Sequence, residues 1–205
     1  MADGIFSERE HALEATYFHQ HDAKLLQALR EGSKLDEIAI AMAGKLAIDS
    51  PDLLLRVREL GVTAATAAAF LLAPLVQMAW ANDAPGKRVR NLVLRSAVAR
   101  GIAVSSPAYD QLLDWLHERP TEAFFETALE VIHHGLAVLP PDEKEQRIKQ
   151  MMSVCRDIAI ASGPKLAKML GLASPVSSHE ASALSTIAAA LRTFGVHKKR
   201  QIATL

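Results

Sequence analysis

The chain has 205 residues, of which 50% are hydrophobic and 22% are charged, and its 23 Lys and Arg balance its 23 Asp and Glu. This composition excludes wholesale disorder, and the balanced charge gives no whole-chain field that would attract nucleic acid. A single cysteine, Cys155, excludes an intramolecular disulfide and a cysteine metal cluster. We therefore expect one folded domain, or two small ones that share a core, without a nucleic-acid partner.

Two segments bear on localisation. Residues 1–14 are charged and lack the apolar stretch of a signal peptide, which predicts a cytoplasmic protein. Residues 62–81 carry no formal charge and are about as long as a membrane span. They are built mainly from Ala and contain Pro74 and several polar side chains, so we predict a buried bundle helix and no membrane partner.

Helix start and stop signals recur along the whole chain. Ser-Pro pairs or capping serines precede most apolar stretches of helical period, and glycines follow several of them. The predicted helices cover residues 8–31, 34–46, 51–60, 64–81 with an interruption or a fresh start at Pro74, 87–101, 107–119, 121–139, 142–162, 165–170 and 178–195. No segment of useful length alternates at period two, so no strand is expected. The predicted fold class is all-α, a compact multi-helix bundle of about 8–10 helices.

Residues 75–83 and 155–163 echo each other. Each stretch is a predicted helix that ends in small and apolar residues, followed by a turn and then by another helix with many small residues. The echo has two interpretations: an internal duplication, or a chance match between two Ala-rich helices.

The turn of the first stretch carries a resemblance to a known family. Residues 74–83, which end in Ala81-Asn82-Asp83, resemble the TerB-like (tellurite-resistance) helical family. That family typically reads Ala-Asp-Gly after its first helix, with an acidic residue opening the next. The second stretch, with Ser162-Gly163 and later Glu180, is similar to the same pattern.

The resemblance covers about residues 70–118 and 142–195. It implies N-terminal helices at 1–62, a first TerB-like unit with a connecting helix at 63–138, and a second unit at 139–205, within one compact structural domain. It also implies an association with stress responses and no known catalysis.

The chain departs from the family pattern where a metal would bind. Asn82 and Ser162 stand in place of the family's aspartate, and Asp83 stands in place of its glycine. A hard cation such as Ca²⁺ takes about six to eight oxygen ligands, several of them carboxylates. Asn82 and Asp83 in one loop, with Glu180 far along the chain, fall short of that number, so no metal is expected at these candidate ligands.

A shorter resemblance lies at the N-terminus. Residues 9–19 are similar to the opening of the small helical inhibitor subunit of some bacterial F-type ATPases. The similarity covers less than about thirty residues of a sequence that favours helices in any case.

Two Glu-x-x-His pairs, Glu8–His11 and Glu130–His133, have the spacing that carboxylate bundles use to hold two metals. Such a site needs further inward-facing glutamates on other helices. Glu130 and His133 lie off the apolar stripe of their own helix, so we expect them at the surface or at its boundary, with effects on stability below about 0.5 kcal/mol. They are weak metal candidates.

Three other groups have simple structural interpretations. Histidines at 19 and 21 lie two positions apart on a predicted helix and therefore point to different faces. The adjacent His133 and His134 also point to different faces of their helix. Cys155 lies among apolar residues and is predicted to be buried, although Arg156 beside it would favour a thiolate. The basic run at 197–200 lacks an aromatic platform for nucleic acid.

No catalytic or cofactor-binding residue emerges from these patterns. The preferred prediction is a non-enzymatic helical protein that acts through an unknown protein partner or through self-association, because small-residue helices such as 64–69 and 188–190 allow close helix approach. The alternative is a metal-binding helical protein, with either a TerB-like divalent cation site or a Glu-x-x-His carboxylate bundle.

Overall fold

The computed structural model describes residues 50–162 and 176–193. The predicted helices at 8–31, 34–46 and 165–170 lie outside these residues. So do the Glu8–His11 pair, the histidines at 19 and 21, the segment similar to the ATPase inhibitor, and the basic run at 197–200.

The described part of the chain is 73% helical and contains no strand, which confirms the predicted all-α fold. Its helices are α1 (Pro51–Glu59), α2 (Ala67–Phe70), α3 (Ala73–Ala79), α4 (Lys87–Val98), α5 (Pro107–His117), α6 (Glu122–Ala137), α7 (Pro141–Ser162) and α8 (Ser178–Arg192).

The helices begin and end at the predicted signals. The Ser106 hydroxyl accepts a hydrogen bond from the backbone N–H of Tyr109 at the start of α5, and Thr121 caps α6 in the same way. Gly61 and Gly101 follow α1 and α4 with φ of +76° and +87°, a left-handed conformation that glycine adopts at little cost.

The apolar segment at 62–81 follows one of the two predicted alternatives. It forms two short helices, α2 and α3, and the second of them starts afresh at Pro74. The backbone N–H of Thr63 donates to the hydroxyl of Thr66, which stabilises a turn before α2, and Pro74 lies in the first turn of α3, where its missing N–H costs nothing. Phe70, Leu75 and other side chains of this segment are fully buried, as predicted. No helix within the described residues has the length and apolar character needed to cross a membrane.

Helix α3 lies at the centre of the bundle and packs against α4, α5, α6, α7 and α8. Helix α7 in turn packs against α4 and α8. Exchanging the pair α3–α4 with the pair α7–α8 therefore preserves the contacts of these four helices with one another, as a duplication would, but not the packing of α3 on α5. The duplication stays a prediction, and superposing the two pairs tests it, because unlike crossing angles would reject it.

The two tryptophans join α3 to α5. The indole N–H of Trp80 donates to the backbone carbonyl of Trp115 at 2.8 Å, and both rings are partly buried against the core. The Trp115 ring lies 4.6 Å from that of Phe124, which in turn contacts Phe70 and Phe125. Trp80 therefore connects the end of α3 to α5.

Candidate functional site

Glu180 is the only charged residue of the described part that is buried, with 2% of its surface exposed. It occupies the third position of α8, where its carboxylate and the Ser177 side chain form a capping box. The backbone N–H of Ser177 donates to Oε2 of Glu180 at 2.7 Å, and the backbone N–H of Glu180 donates to Oγ of Ser177 at 3.2 Å. The negative charge thus faces the positive end of the helix dipole.

The other oxygen of this carboxylate binds two side chains from distant parts of the chain. Asn82 donates from Nδ2 to Oε1 of Glu180 at 2.9 Å, and the Ser162 hydroxyl donates to the same oxygen. The Ser177 hydroxyl donates to Oδ1 of Asn82 at 2.8 Å, which closes the network. We call Asn82, Ser162, Ser177 and Glu180 the Glu180 cluster.

The Glu180 cluster corrects one expectation. The sequence places Glu180 far from Asn82, whereas the fold brings them into direct contact across 98 positions. Asn82 and Ser162 hold matching positions in the two stretches that echo each other, and both bind the same carboxylate. Nothing in the sequence indicated that Asn82 and Ser162 would bind the carboxylate of Glu180.

A cavity of about 910 Å³ lies beside the cluster. Its lining includes Asn82 and Glu180 from the cluster, together with Asp83, Arg88 and His179. Asp83, Arg88 and His179 are all exposed to solvent, so an acidic side chain, a basic side chain and an imidazole border the cavity. Asp83 lines this space without any hydrogen bond to the cluster among the described residues.

The donor set does not fit a hard cation. Both carboxylate oxygens of Glu180 accept N–H or O–H donors, and the Asn82 amide nitrogen and the Ser177 backbone nitrogen are not metal ligands. The residue of α4 that occupies the position of Glu180 is Val89, so the first unit supplies no matching acid. Within the described residues, no three His, Cys, Asp or Glu side chains are grouped as metal ligands would be.

Glu130 and His133 lie on α6 at the surface boundary, and each binds a different partner. Glu130 forms an ion pair with Arg56 of α1 at 2.7 Å, and Nδ1 of His133 is hydrogen-bonded to the backbone carbonyl of Leu191 in α8 at 3.0 Å. These contacts tie α6 to two other helices. Both side chains lie at the boundary, as predicted, but the contact with Leu191 raises the expected effect of removing His133 above about 0.5 kcal/mol.

His133→Ala should lower the free energy of unfolding by about 1–2 kcal/mol, because it leaves the Leu191 carbonyl near the end of α8 without its side-chain donor. The adjacent, exposed His134 offers the matched control, and His134→Ala should cost less than about 0.5 kcal/mol. Urea unfolding of both variants measures the difference. Equal effects would show that the contact with Leu191 contributes nothing.

Cys155 is fully buried on α7, as predicted, and its Sγ lies 3.9 Å from the carbonyl oxygen of Pro74 in α3. Burial raises the pKa of this thiol to about 12, and the nearby Arg100 offsets only part of that rise. The sequence neighbour Arg156 is exposed and is not among the causes of the shift. The cysteine therefore contributes to the core and is not an activated nucleophile.

The thiol of Cys155 should consequently be inert toward Ellman's reagent in the folded protein at pH 8, because it is both inaccessible and protonated. In denaturant it should react fully and at the rate of a free cysteine. The thiolate released from the reagent absorbs at ~412 nm, and this absorbance, followed with and without denaturant, gives the rate of the reaction. Rapid reaction in the folded state would contradict its placement in the core.

The comparisons with known proteins add no relative. No family model, no curated protein and no solved structure matches the chain.

Proposed function

We propose that this chain is a non-enzymatic, TerB-like helical protein that acts by binding a protein partner or a second copy of itself. The observation that carries the proposal is the placement of exposed apolar side chains. Val98, Val104 and Leu113 are 47%, 62% and 42% exposed and belong to α4, α5 or the loop between them. Three other exposed large apolar side chains of the described residues lie on separate elements, namely Leu55, Val138 and Ile160. Single exposed apolar side chains are ordinary, whereas three of them on two consecutive helices and their connecting loop are typical of an interaction surface.

The Glu180 cluster supports the same proposal. Its carboxylate accepts donors from both units at once, so it fixes α8 against the turn that follows α3. A buried carboxylate whose oxygens are occupied in this way stabilises a rigid arrangement of helices. A rigid bundle presents its surface helices to a partner with little loss of conformational entropy.

Leu113→Asp tests the proposal in an extract of the native host. The wild-type chain should elute in a complex larger than a single chain, and the variant should elute as a single chain, because a charge at an interface centre cannot be desolvated without a partner. Gln150→Asp, at an exposed position on α7, is the matched control and should keep the larger size. A wild-type protein that elutes as a single chain would contradict the proposal, as would a variant that keeps the complex.

A second candidate function is binding of a divalent cation at the Glu180 cluster. The convergence of Asn82, Ser162 and Glu180 favours it, because all three side chains carry oxygen atoms and meet at one point, although Asn82 and Ser162 stand where the TerB-like pattern has an aspartate. The ion would have to replace the amide donors that now occupy the carboxylate.

Calorimetric titration with Ca²⁺, Mg²⁺ and Zn²⁺ separates the two candidates. A cation site at the cluster predicts saturable binding of one ion per chain that Glu180→Gln abolishes and that Asp157→Asn, an exposed acid on α7, leaves intact. If none of the three ions gives a heat of binding, the cation site is rejected and the binding of a protein partner remains as the proposed function.

A further inference from the structure

The surfaces of α4 and α5 carry opposite charges. On α4 the exposed stripe contains Lys87, Asn91, Arg95 and Val98, with Arg88 beside it, and the helix has no acidic residue. These positions are three or four residues apart, so they share one face of the helix. The stripe is therefore cationic over its whole length and ends at an exposed valine.

The exposed stripe of α5 has the complementary composition. It contains Asp110, Leu113, Asp114 and His117, again at helical spacing. Two carboxylates thus flank an exposed leucine, whereas the cationic stripe of α4 adjoins an exposed valine.

The charges of the two stripes have no ion-pair partners within the described part of the chain. The ion pairs there involve Arg56, Arg119, Arg147 and Arg192 with their glutamates, and none includes a charge of α4 or an aspartate of α5. Helices α4 and α5 nevertheless pack against each other, so the positive and the negative stripe belong to neighbouring helices.

We infer that this face is a self-complementary interface, and that a second copy of the chain binds it with α4 on the partner's α5 and α5 on the partner's α4. A two-fold axis generates both contacts at once, because each contact of an isologous interface occurs a second time with the two chains exchanged. Val98, Val104 and Leu113 would form the apolar centre of this interface, and the opposed charges would set its register. The inference rests on the proposed function and names the partner.

Charge reversal on each stripe provides the test. Lys87→Glu/Arg95→Glu makes the basic stripe acidic, and Asp110→Lys/Asp114→Lys makes the acidic stripe basic. All four residues are exposed, so each variant should stay folded, as circular dichroism can check. In each variant alone both stripes have the same sign, so the dissociation constant of the dimer should rise by at least about tenfold.

An equimolar mixture of the two variants should restore the dimer. Every contact in the mixed pair again joins an acidic stripe to a basic one, and sedimentation equilibrium should show association as strong as that of the wild type. Lys149→Glu/Arg156→Glu on α7 changes the net charge by the same amount as the first variant, and it should dimerise like the wild type.

Two results would overturn the inference. One is a wild-type chain that stays a single chain at all concentrations. The other is a wild-type dimer that either charge-reversed variant retains, or that the mixture fails to restore. Both results are distinct from failure of the proposed function, because binding of a different protein would still make the elution size in host extract sensitive to Leu113→Asp.

Discussion

Replacing Glu180 by Gln should lower the free energy of unfolding by about 3 kcal/mol. The carboxamide turns its NH₂ group toward donors that need acceptors: either the Asn82 amide and the Ser162 hydroxyl, which share Oε1, or the Ser177 backbone N–H, which binds Oε2. The substitution also removes the negative charge from the first turn of α8. Urea unfolding followed by circular dichroism measures the effect.

The matched control is Glu126→Gln, which changes the same functional group at an exposed position of α6 and should cost less than about 0.5 kcal/mol. A cycle with Asn82→Ala then isolates the contact between the two units. If the Glu180 cluster couples them, the double variant should be less destabilised than the sum of the single variants by about 1 kcal/mol. If the losses of stability in the two single variants simply add, or if Glu180→Gln and Glu126→Gln lose the same stability, the Glu180 cluster does not couple Asn82 to α8.

Trp80→Ala should be the other severe substitution, with a loss of about 3–5 kcal/mol out of a total stability of roughly 5–15 kcal/mol. It empties the space at the end of α3 and leaves the Trp115 carbonyl without its indole donor. The expected result is a protein that unfolds at very low urea concentration.

Trp80→Phe separates the two causes, because it keeps an aromatic ring and removes the N–H group. Loss of that hydrogen bond alone should cost about 1–2 kcal/mol. If Trp80→Phe is as destabilising as Trp80→Ala, the hydrogen bond to Trp115 and not ring packing dominates. If Trp80→Ala unfolds like the wild type, the placement of the ring against the core is wrong.

Local signals in the sequence predicted the helices well because helix ends are determined by a few neighbouring residues. The capping serines and threonines and the positive-φ glycines at 61 and 101 lie where the sequence placed the boundaries. For residues 62–81 the sequence left open an interruption or a fresh start at Pro74, and the structure has the fresh start, with Pro74 in the first turn of α3. There Thr63 and Thr66 bind each other and open a turn, a local alternative to the helix that hydroxyl side chains offer.

The candidate site was predicted only in part, because its contacts join residues far apart in the chain. The sequence showed the capping box of Ser177 and Glu180 and the matching turns at Asn82 and Ser162. Whether the side chains of Asn82 and Ser162 reach the carboxylate of Glu180 depends on how α3 and α7 pack against each other. No local pattern in the sequence determines that packing. The same reason explains Glu130 and His133, whose partners on α1 and α8 lie tens of residues away.

The proposed interface on α4 and α5 is a third feature that the sequence predicted only in part. The charges on α4 and α5 were readable from the sequence, but their meaning required the exposure of each side chain and the absence of ion pairs among the described residues of both stripes. A charged helix face is ordinarily solvated, and only its juxtaposition with an opposite stripe and exposed Val98 and Leu113 indicates a partner.

Photo-crosslinking in living cells of the native host tests most directly whether the protein acts through the face formed by α4 and α5. A photoreactive phenylalanine derivative at Leu113 should give one discrete adduct, and the same group at Gln150 on α7 should give none, although both positions are exposed. An adduct with the mass of two chains identifies self-association, and another mass identifies a different protein partner. No adduct at 113, or equal adducts at both positions, would contradict the proposed function.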